Sequence, residues 1–122
     1  MNERQVRRLL TKYRTICCRY GMLKATSKNT AAVYVALKQK QMLESWLNIL
    51  DDLERPIVER HLVAGLTWPM VIQEFQDQWG EMETRHERSL KRTQANAIKK
   101  ILNNIAALGM EEEVLELFHD FV

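Results

Sequence analysis

Apolar residues recur along this chain at steps of three and four, the spacing of one face of an α-helix. The first such stripe consists of Val6, Leu9, Tyr13, Ile16 and Tyr20. It follows Asn2, a residue type that caps helix N-termini, and precedes Gly21, a residue type that ends helices. The pattern therefore predicts a first helix over residues 3–19.

Two more helices are predicted before residue 65. Polar residues 24–29 indicate a loop, and a helix over residues 30–47 follows with the stripe Val33, Leu37, Met42, Trp46 and Leu50. The next helix begins at Asp51 or Asp52, whose carboxylates accept from first-turn amides. Pro56 is compatible with that first turn, and Gly65 closes the helix. Its buried residues are predicted to be Leu53, Ile57, Val58 and Leu62.

The clearest amphipathic stripe follows Thr67, which is predicted to cap a fourth helix ending before Gly80. Its members are Trp68, Val71, Ile72, Phe75 and Trp79. Thr84 and Glu87 have the spacing of a capping box, which predicts a fifth helix over residues 85–108. Its inward residues are expected to be Leu90, Ala97, Ile101, Ile105 and Leu108. Gly109 then separates it from a short acidic helix over residues 111–121.

Composition supports a single all-α domain. The chain has 122 residues, 46% of them hydrophobic, and its 4 glycines and 2 prolines are too few for a turn-rich β fold. It has no apolar run of the roughly 20 residues that span a bilayer and no apolar leader, so we expect a cytoplasmic protein with no membrane contact. The adjacent Cys17 and Cys18 suit a reducing compartment because neighbours in a helix do not bridge without strain.

Catalysis and metal binding find no support in the sequence. His61, His86 and His119 are scattered and distant from the cysteines, so no metal or other cofactor is expected. No nucleophile motif frames the serines or acids, so we do not expect an enzyme. The three tryptophans lie on apolar stripes and are predicted to be core residues, and His61 is predicted to be a partly buried structural residue.

Charge is distributed unevenly, although the net charge is only +2. Residues 1–28 carry eight bases against one acid, and residues 41–84 carry nine acids against two bases. Residues 85–100 again carry six bases against one acid. The two basic segments are candidate surfaces for a polyanion.

The three helices predicted between residues 51 and 108 have the order of a helix-turn-helix unit, in which the last helix enters the DNA major groove. The residues predicted to face DNA are Arg85, Arg88, Ser89, Arg92, Asn96 and Lys99, with Lys91 at the border. Arg88 and Arg92 are one turn apart, and either guanidinium suits guanine. Thr67 and the amides after it suit a phosphate. Duplex DNA is thus the expected partner.

Three segments are predicted: an N-terminal helical arm over residues 1–50, the DNA-binding unit over 51–108, and an acidic helix over 109–122. The arm is expected to contact RNA polymerase or a second copy of the chain, giving a homodimer. The sequence leaves open what its basic face, comprising Arg4, Arg7, Arg8 and Lys12, contacts. The alternatives are the DNA backbone, an acidic partner, the acidic middle of the same chain or of a second copy, and only water.

The central pattern also resembles a known family. The stretches LDDLERPIVERHL, GLTWPMVIQEF and ANAIKKIL are similar to region four of bacterial sigma factors. With the short length, the basic first helix bearing Tyr13 and the Trp68 after Thr67, the chain most resembles phage and prophage regulators of the ArpU and RinA type. The resemblance implies a regulator of phage late or cell-wall lytic genes that binds promoter DNA through residues 85–92.

The chain departs from the sigma pattern at one place, and two alternative functions stay open. Glu81 to Thr84 lengthen the turn before the fifth helix, which leaves the register of that helix undetermined. A phage DNA-packaging subunit needs the same DNA-binding unit but assembles into a ring. A helical adaptor that binds protein alone predicts no salt-dependent DNA affinity.

Overall fold

The structure, a computed structural model, describes residues 1–80 and 86–121, and over these residues it is all-helical with no strand. The predicted all-α fold class is confirmed. No helix within the described ranges is both long and apolar enough to cross a bilayer.

Seven α-helices are described. They are α1 (Glu3–Thr11), α2 (Tyr13–Thr26), α3 (Thr30–Asn48), α4 (Glu54–Val58), α5 (Trp68–Trp79), α6 (Glu87–Ala107) and α7 (Glu111–Leu117). A π-helical turn, Glu59–Val63, continues α4 directly. The order of the helices is therefore the predicted one, apart from the division of the first.

The predicted single helix over residues 3–19 is wrong, because the chain turns at Lys12. The amide of Lys12 donates to the carbonyl of Leu9 at 3.0 Å, and α2 starts immediately afterwards. Gly21 does not end a helix but lies inside α2, which continues to Thr26. A helix-interior glycine costs about 1 kcal/mol relative to alanine, and the packing of α2 along α3 offsets this cost. The N-cap prediction is confirmed, since the side chain of Asn2 accepts from the amide of Gln5.

Helix α3 has nearly its predicted bounds but a different buried face. Asn29 caps it by accepting from the amide of Ala32 at 3.1 Å. Its buried residues are Ala36, Gln39, Leu43, Trp46 and Leu47. Of the predicted stripe, Trp46 and Leu50 are buried, whereas Val33, Leu37 and Met42 are only half-buried. The predicted stripe was wrong because α2 packs along one side of α3 and α7 along another.

Helix α4 begins at Glu54, later than the predicted Asp51 or Asp52, but Asp51 caps its first turn as predicted. Its carboxylate accepts from the amides of Leu53 at 2.9 Å and Glu54 at 2.7 Å. These two hydrogen bonds hold the pKa of Asp51 below its ordinary value, the bond from Glu54 contributing most. Pro56 lies in the first turn, and Gly65 follows the π turn with a φ of 73°, which favours glycine.

The bounds of α5 agree with the sequence, whereas the start of α6 does not. Thr67 occupies the N-cap position of α5, and Gly80, with a φ of 80°, occupies its C-cap. The predicted capping box is wrong for α6, because Glu87 is its first residue and His86 its N-cap. A box requires the glutamate at the third helical position. Thr84, the other half of the box, lies outside the described residues.

Two groups of buried side chains hold the helices together, and α6 contributes to both. The smaller group consists of Ile57, Val71, Phe75 and Leu90, from α4, α5 and the start of α6. The larger group draws on α1, α2, α3, the α4 region, the C-terminal half of α6 and the last helix. Because one continuous helix enters both, the orientation of α4 and α5 is linked to that of the N-terminal helices.

The C-terminal region is packed against the rest of the protein through two buried side chains. Val114 and Phe118 are fully buried, and the ring of Phe118 contacts Trp46 with centroids 6.1 Å apart. Helix α7 ends at Leu117, earlier than the predicted residue 121. Leu108, predicted to point inward, is instead 64% exposed. It follows the last residue of α6, where the chain turns toward Gly109 and leaves the face that Ile105 buries.

Candidate nucleic-acid interface

The N-terminal half of α6 has one packed face and one free face. Leu90 and Gln94 are each 1% exposed. Leu90 packs against Ile57 of α4 and Val71 and Phe75 of α5, and Gln94 contacts His61 of the π turn. The opposite face consists of Arg88, Arg92, Asn96 and Lys99, all of which are exposed. These four residues recur at steps of four, four and three, so they form one stripe along the outside of the helix. The stripe is basic and polar and contains no acid.

The other predicted interface residues are placed less uniformly. Lys91 is exposed at the side of the stripe, as predicted, and Ser89 is half-buried. Arg85 lies outside the residues that the structure describes. Thr67 is exposed at the start of α5, but its hydroxyl makes no capping hydrogen bond to the helix.

The cations of α6 differ in how they are paired. Lys91 Nζ lies 3.7 Å from Glu87 Oε1, an i,i+4 pair on the same helix. Lys100 Nζ lies 2.6 Å from Glu54 Oε1. Within the described ranges no carboxylate is within ion-pair distance of Arg88, Arg92 or Lys99. The three cations of the outer stripe are thus free to meet an external anion, whereas Lys100 is engaged inside the molecule.

A polar contact that the sequence did not reveal lies beneath the stripe. Nδ1 of His61, in the π turn, is 2.9 Å from Oε1 of the buried Gln94. The imidazole also stacks on the indole of Trp68, with centroids 3.8 Å apart and planes 20° apart. His61 is half-buried, as predicted, and joins the π turn to the start of α5 and to α6. The sequence feature that could have indicated the burial of Gln94 is its position four residues after Leu90 on the inward stripe of α6.

A second polar contact supports the middle of α6 from α4. The carboxylate of Glu54 is buried, accepts from the amide of Asp51 at 3.1 Å, and contacts Lys100. This contact raises the pKa of Lys100, because the neighbouring carboxylate favours the charged amine. No sequence signal pointed to the pair, since its members are 46 residues apart.

The N-terminal arm presents a separate basic surface. Helix α1 buries Val6, Leu9 and Leu10. Arg4 and Arg8 are exposed, and Arg7 and Lys12 are half-buried. Over residues 1–80 and 86–121 none of these four cations forms an ion pair. Within these ranges the basic face of α1 therefore forms no ion pair with the acidic middle of the same chain. Its contacts with DNA, with an acidic partner or with a second copy stay predictions.

Comparison with known proteins identifies no family. No protein-family model, curated protein or solved structure matches this chain. Among the described side chains, no group of three or more His, Cys, Asp or Glu is arranged to hold a metal ion.

Proposed function

We propose that this protein is a transcriptional regulator that binds duplex DNA sequence-specifically through the outer face of α6. The observation that carries the proposal is the exposed stripe of Arg88, Arg92, Asn96 and Lys99, whose cations have no carboxylate partner in the described part of the chain. Arginine and asparagine are the side chains that pair with guanine and adenine in the major groove, and lysine suits phosphate.

The packing of the central helices supports this proposal. Helices α4, α5 and α6 surround the small group of Ile57, Val71, Phe75 and Leu90 in the chain order of a helix-turn-helix unit. His61 and Gln94 brace the reading helix from below. The connection between α5 and α6 runs from residue 80 to residue 86, which is longer than the three or four residues of a compact turn.

The sequence resemblance to regulators of the ArpU and RinA type supports a role in controlling phage late or cell-wall lytic genes from promoter DNA. RNA polymerase and a second copy of the chain are the partners that we propose for this role.

The first test is fluorescence anisotropy of a labelled random duplex over a salt series. We compare the native protein with the double variant Arg88→Ala, Arg92→Ala. The matched control is Arg4→Ala, Arg8→Ala, which removes the same charge at the same spacing from the exposed face of α1. We expect a clear salt slope for the native protein, a loss of at least ~1 kcal/mol for the α6 variant, and a smaller loss for the control.

Specificity is tested by selecting tight binders from a random duplex library. The native protein should enrich a defined sequence, whereas the α6 variant should not, because base contacts rather than phosphate contacts carry sequence information. Absence of binding at low salt would refute the DNA proposal and favour the protein-binding adaptor. Enrichment of a defined sequence by both proteins would show that the outer face of α6 is not the surface that reads the DNA sequence.

A further inference from the structure

A groove runs along the boundary of α3 and α7, away from the proposed DNA face. One cavity of about 270 Å³ is lined by Met42 and Trp46 of α3, by Met110 and Val114, and by the C-terminal end of α6. A second, more open cavity lies between Val35 of α3 and the last turn of α7. From Val35 to Trp46 the groove extends about 16 Å along the helix axis, or three helical turns.

The two cavities share no lining residue, but they follow one another along the same faces of both helices and so form one groove. On α3, Val35, Lys38 and Met42 recur at steps of three and four. On the other side, Met110, Val114 and Leu117 recur at steps of four and three. Gln39 Nε2 donates to the carbonyl of Leu117 at 2.9 Å, which fixes the α3 N-terminal half beside the end of α7. The two helices are therefore antiparallel along the groove.

The groove leaves apolar side chains in contact with water. Val35 is 44% exposed and Leu108 is 64% exposed, and Met42 and Met110 are half-buried. Contiguous exposed apolar side chains in a concave surface are typical of a protein-binding site. Leu108, whose side chain is exposed and does not point inward as predicted, lies at the rim of this groove.

Charge differs between the two ends of the groove. Glu113 and Glu116 line the cavity that contains Val35 and Leu117. Neither carboxylate has an ion-pair partner among the described residues, and α7 itself contains no base. At the other cavity, the ammonium of Lys38 lies over the ring of Tyr34, 5.3 Å from its centroid. The cavity beside Val35 therefore carries two carboxylates, whereas the lining of the cavity beside Trp46 carries the ammonium of Lys38.

We infer that this groove binds an amphipathic helix of another protein, which inserts an apolar stripe of about three turns and carries Lys or Arg at one end. The apolar stripe packs against Met42, Trp46 and Val114, and the basic end meets Glu113 and Glu116. Charge complementarity selects this occupant, because two unpaired carboxylates repel nucleic acid and favour cations.

A second copy of this chain does not offer a matching helix. Its basic amphipathic helices are α1 and α6, and their apolar faces, which include Leu9 and Leu90, are buried in the chain's own core. The groove and the proposed DNA face use different residues of α6. Asn104, which lines the groove, is sixteen residues from Arg88 and five from Lys99, or about 24 Å and about 8 Å along the helix. The inference therefore does not depend on DNA binding.

The test uses the whole protein and four fluorescein-labelled helical peptides of about fifteen residues, each with a leucine stripe at helical spacing. Two carry lysines, one in its first turn and one in its last, and the two matched peptides carry glutamates at the same positions. We expect the native protein to bind a lysine peptide and not the glutamate peptides. Glu113→Lys should weaken binding about tenfold, whereas Glu112→Lys, the neighbouring exposed glutamate outside the groove lining, should change it less than about twofold.

The apolar contact is tested with a second matched pair. Val35→Ser should weaken the lysine peptide several-fold, whereas Met22→Ser, at another exposed apolar residue, should not. Thermal melts confirm that each variant is folded. Equal losses for Glu112→Lys and Glu113→Lys would reduce the effect to bulk charge and overturn the inference. Absence of binding at about 1 mM peptide would also overturn the inference, since a Kd of 1 mM corresponds to a binding free energy of only about −4 kcal/mol. A dimer of the native protein that Val35→Ser dissociates would overturn it as well, because a second copy of the chain would then occupy the groove.

Discussion

Lys100 Nζ lies 2.6 Å from Oε1 of Glu54, and this contact joins the middle of α6 to the first residue of α4. The same carboxylate oxygen accepts from the amide of Asp51 at 3.1 Å. One buried oxygen thus satisfies a backbone amide at the start of α4 and a cation on the helix proposed to read DNA. The pair thus links the middle of α6 to the start of α4.

Removing Glu54 should destabilise the protein more than removing an exposed glutamate nearby. Glu54→Ala deletes two hydrogen bonds to a buried carboxylate, each worth about 0.5–1.5 kcal/mol, so we expect a loss of about 1–3 kcal/mol in urea unfolding. Glu59→Ala is the control, since its i,i+4 pair with Arg55 is solvent-exposed and worth at most about 1 kcal/mol. Equal costs for the two variants would contradict a structural role for the Glu54 pair.

Stability should fall in acid partly through Asp51. The capping bonds hold its pKa below the ordinary value, so the stabilisation is present above about pH 4 and is lost as the pH falls through the lowered native pKa. Asp51→Asn keeps a capping oxygen but does not titrate. We expect a difference in urea midpoint between native and variant protein at pH 6 that shrinks as the pH falls below about 4. A difference that persists at low pH, or an equal effect of Asp52→Asn, would argue against this cause.

Two glycines should respond to alanine with opposite signs. Gly21 lies inside α2 and an added Cβ meets nothing within 4 Å, so Gly21→Ala should stabilise by about 0.5–1 kcal/mol. Gly65 also has open space but a φ of 73°, so Gly65→Ala should destabilise by about 1–2 kcal/mol through backbone strain. Thermal or urea unfolding distinguishes the two. A stabilising Gly65→Ala would mean that the left-handed conformation after the π turn is not maintained.

Adjacent lysines should contribute unequally to DNA binding, if the proposed function holds. Lys99 is on the outer stripe without a carboxylate partner in the described ranges, whereas Lys100 is paired with Glu54. Lys99→Gln should therefore lower the salt slope of binding by about one, and Lys100→Gln should leave it nearly unchanged. The measurement is anisotropy at several salt concentrations. Equal slopes for the two variants would show that phosphates do not follow the outer stripe.

Local chemistry made most helix boundaries predictable from the sequence. Asn2, Asp51 and Thr67 occupy N-cap or capping positions, and Gly65, Gly80 and Gly109 have the positive φ that suits chain reversal. The stripe of α5 and the exposed basic stripe of α6 also follow from helical period, because both depend on residues within one helix. The exposed positions of Arg88, Arg92, Asn96 and Lys99 were thus predictable from the sequence. Arg85, also predicted to face DNA, lies outside the described residues.

The sequence alone determined an all-α chain, its order of helices and the polar face of α6, since capping and periodicity act over a few residues. Only the tertiary structure decided which face of α3 is buried, that α2 continues through Gly21, and that Leu108 is exposed beside a groove. The contact between Glu54 and Lys100 also required it. These outcomes depend on which helices pack together, and such contacts form between residues far apart in the chain, where local pattern carries no information.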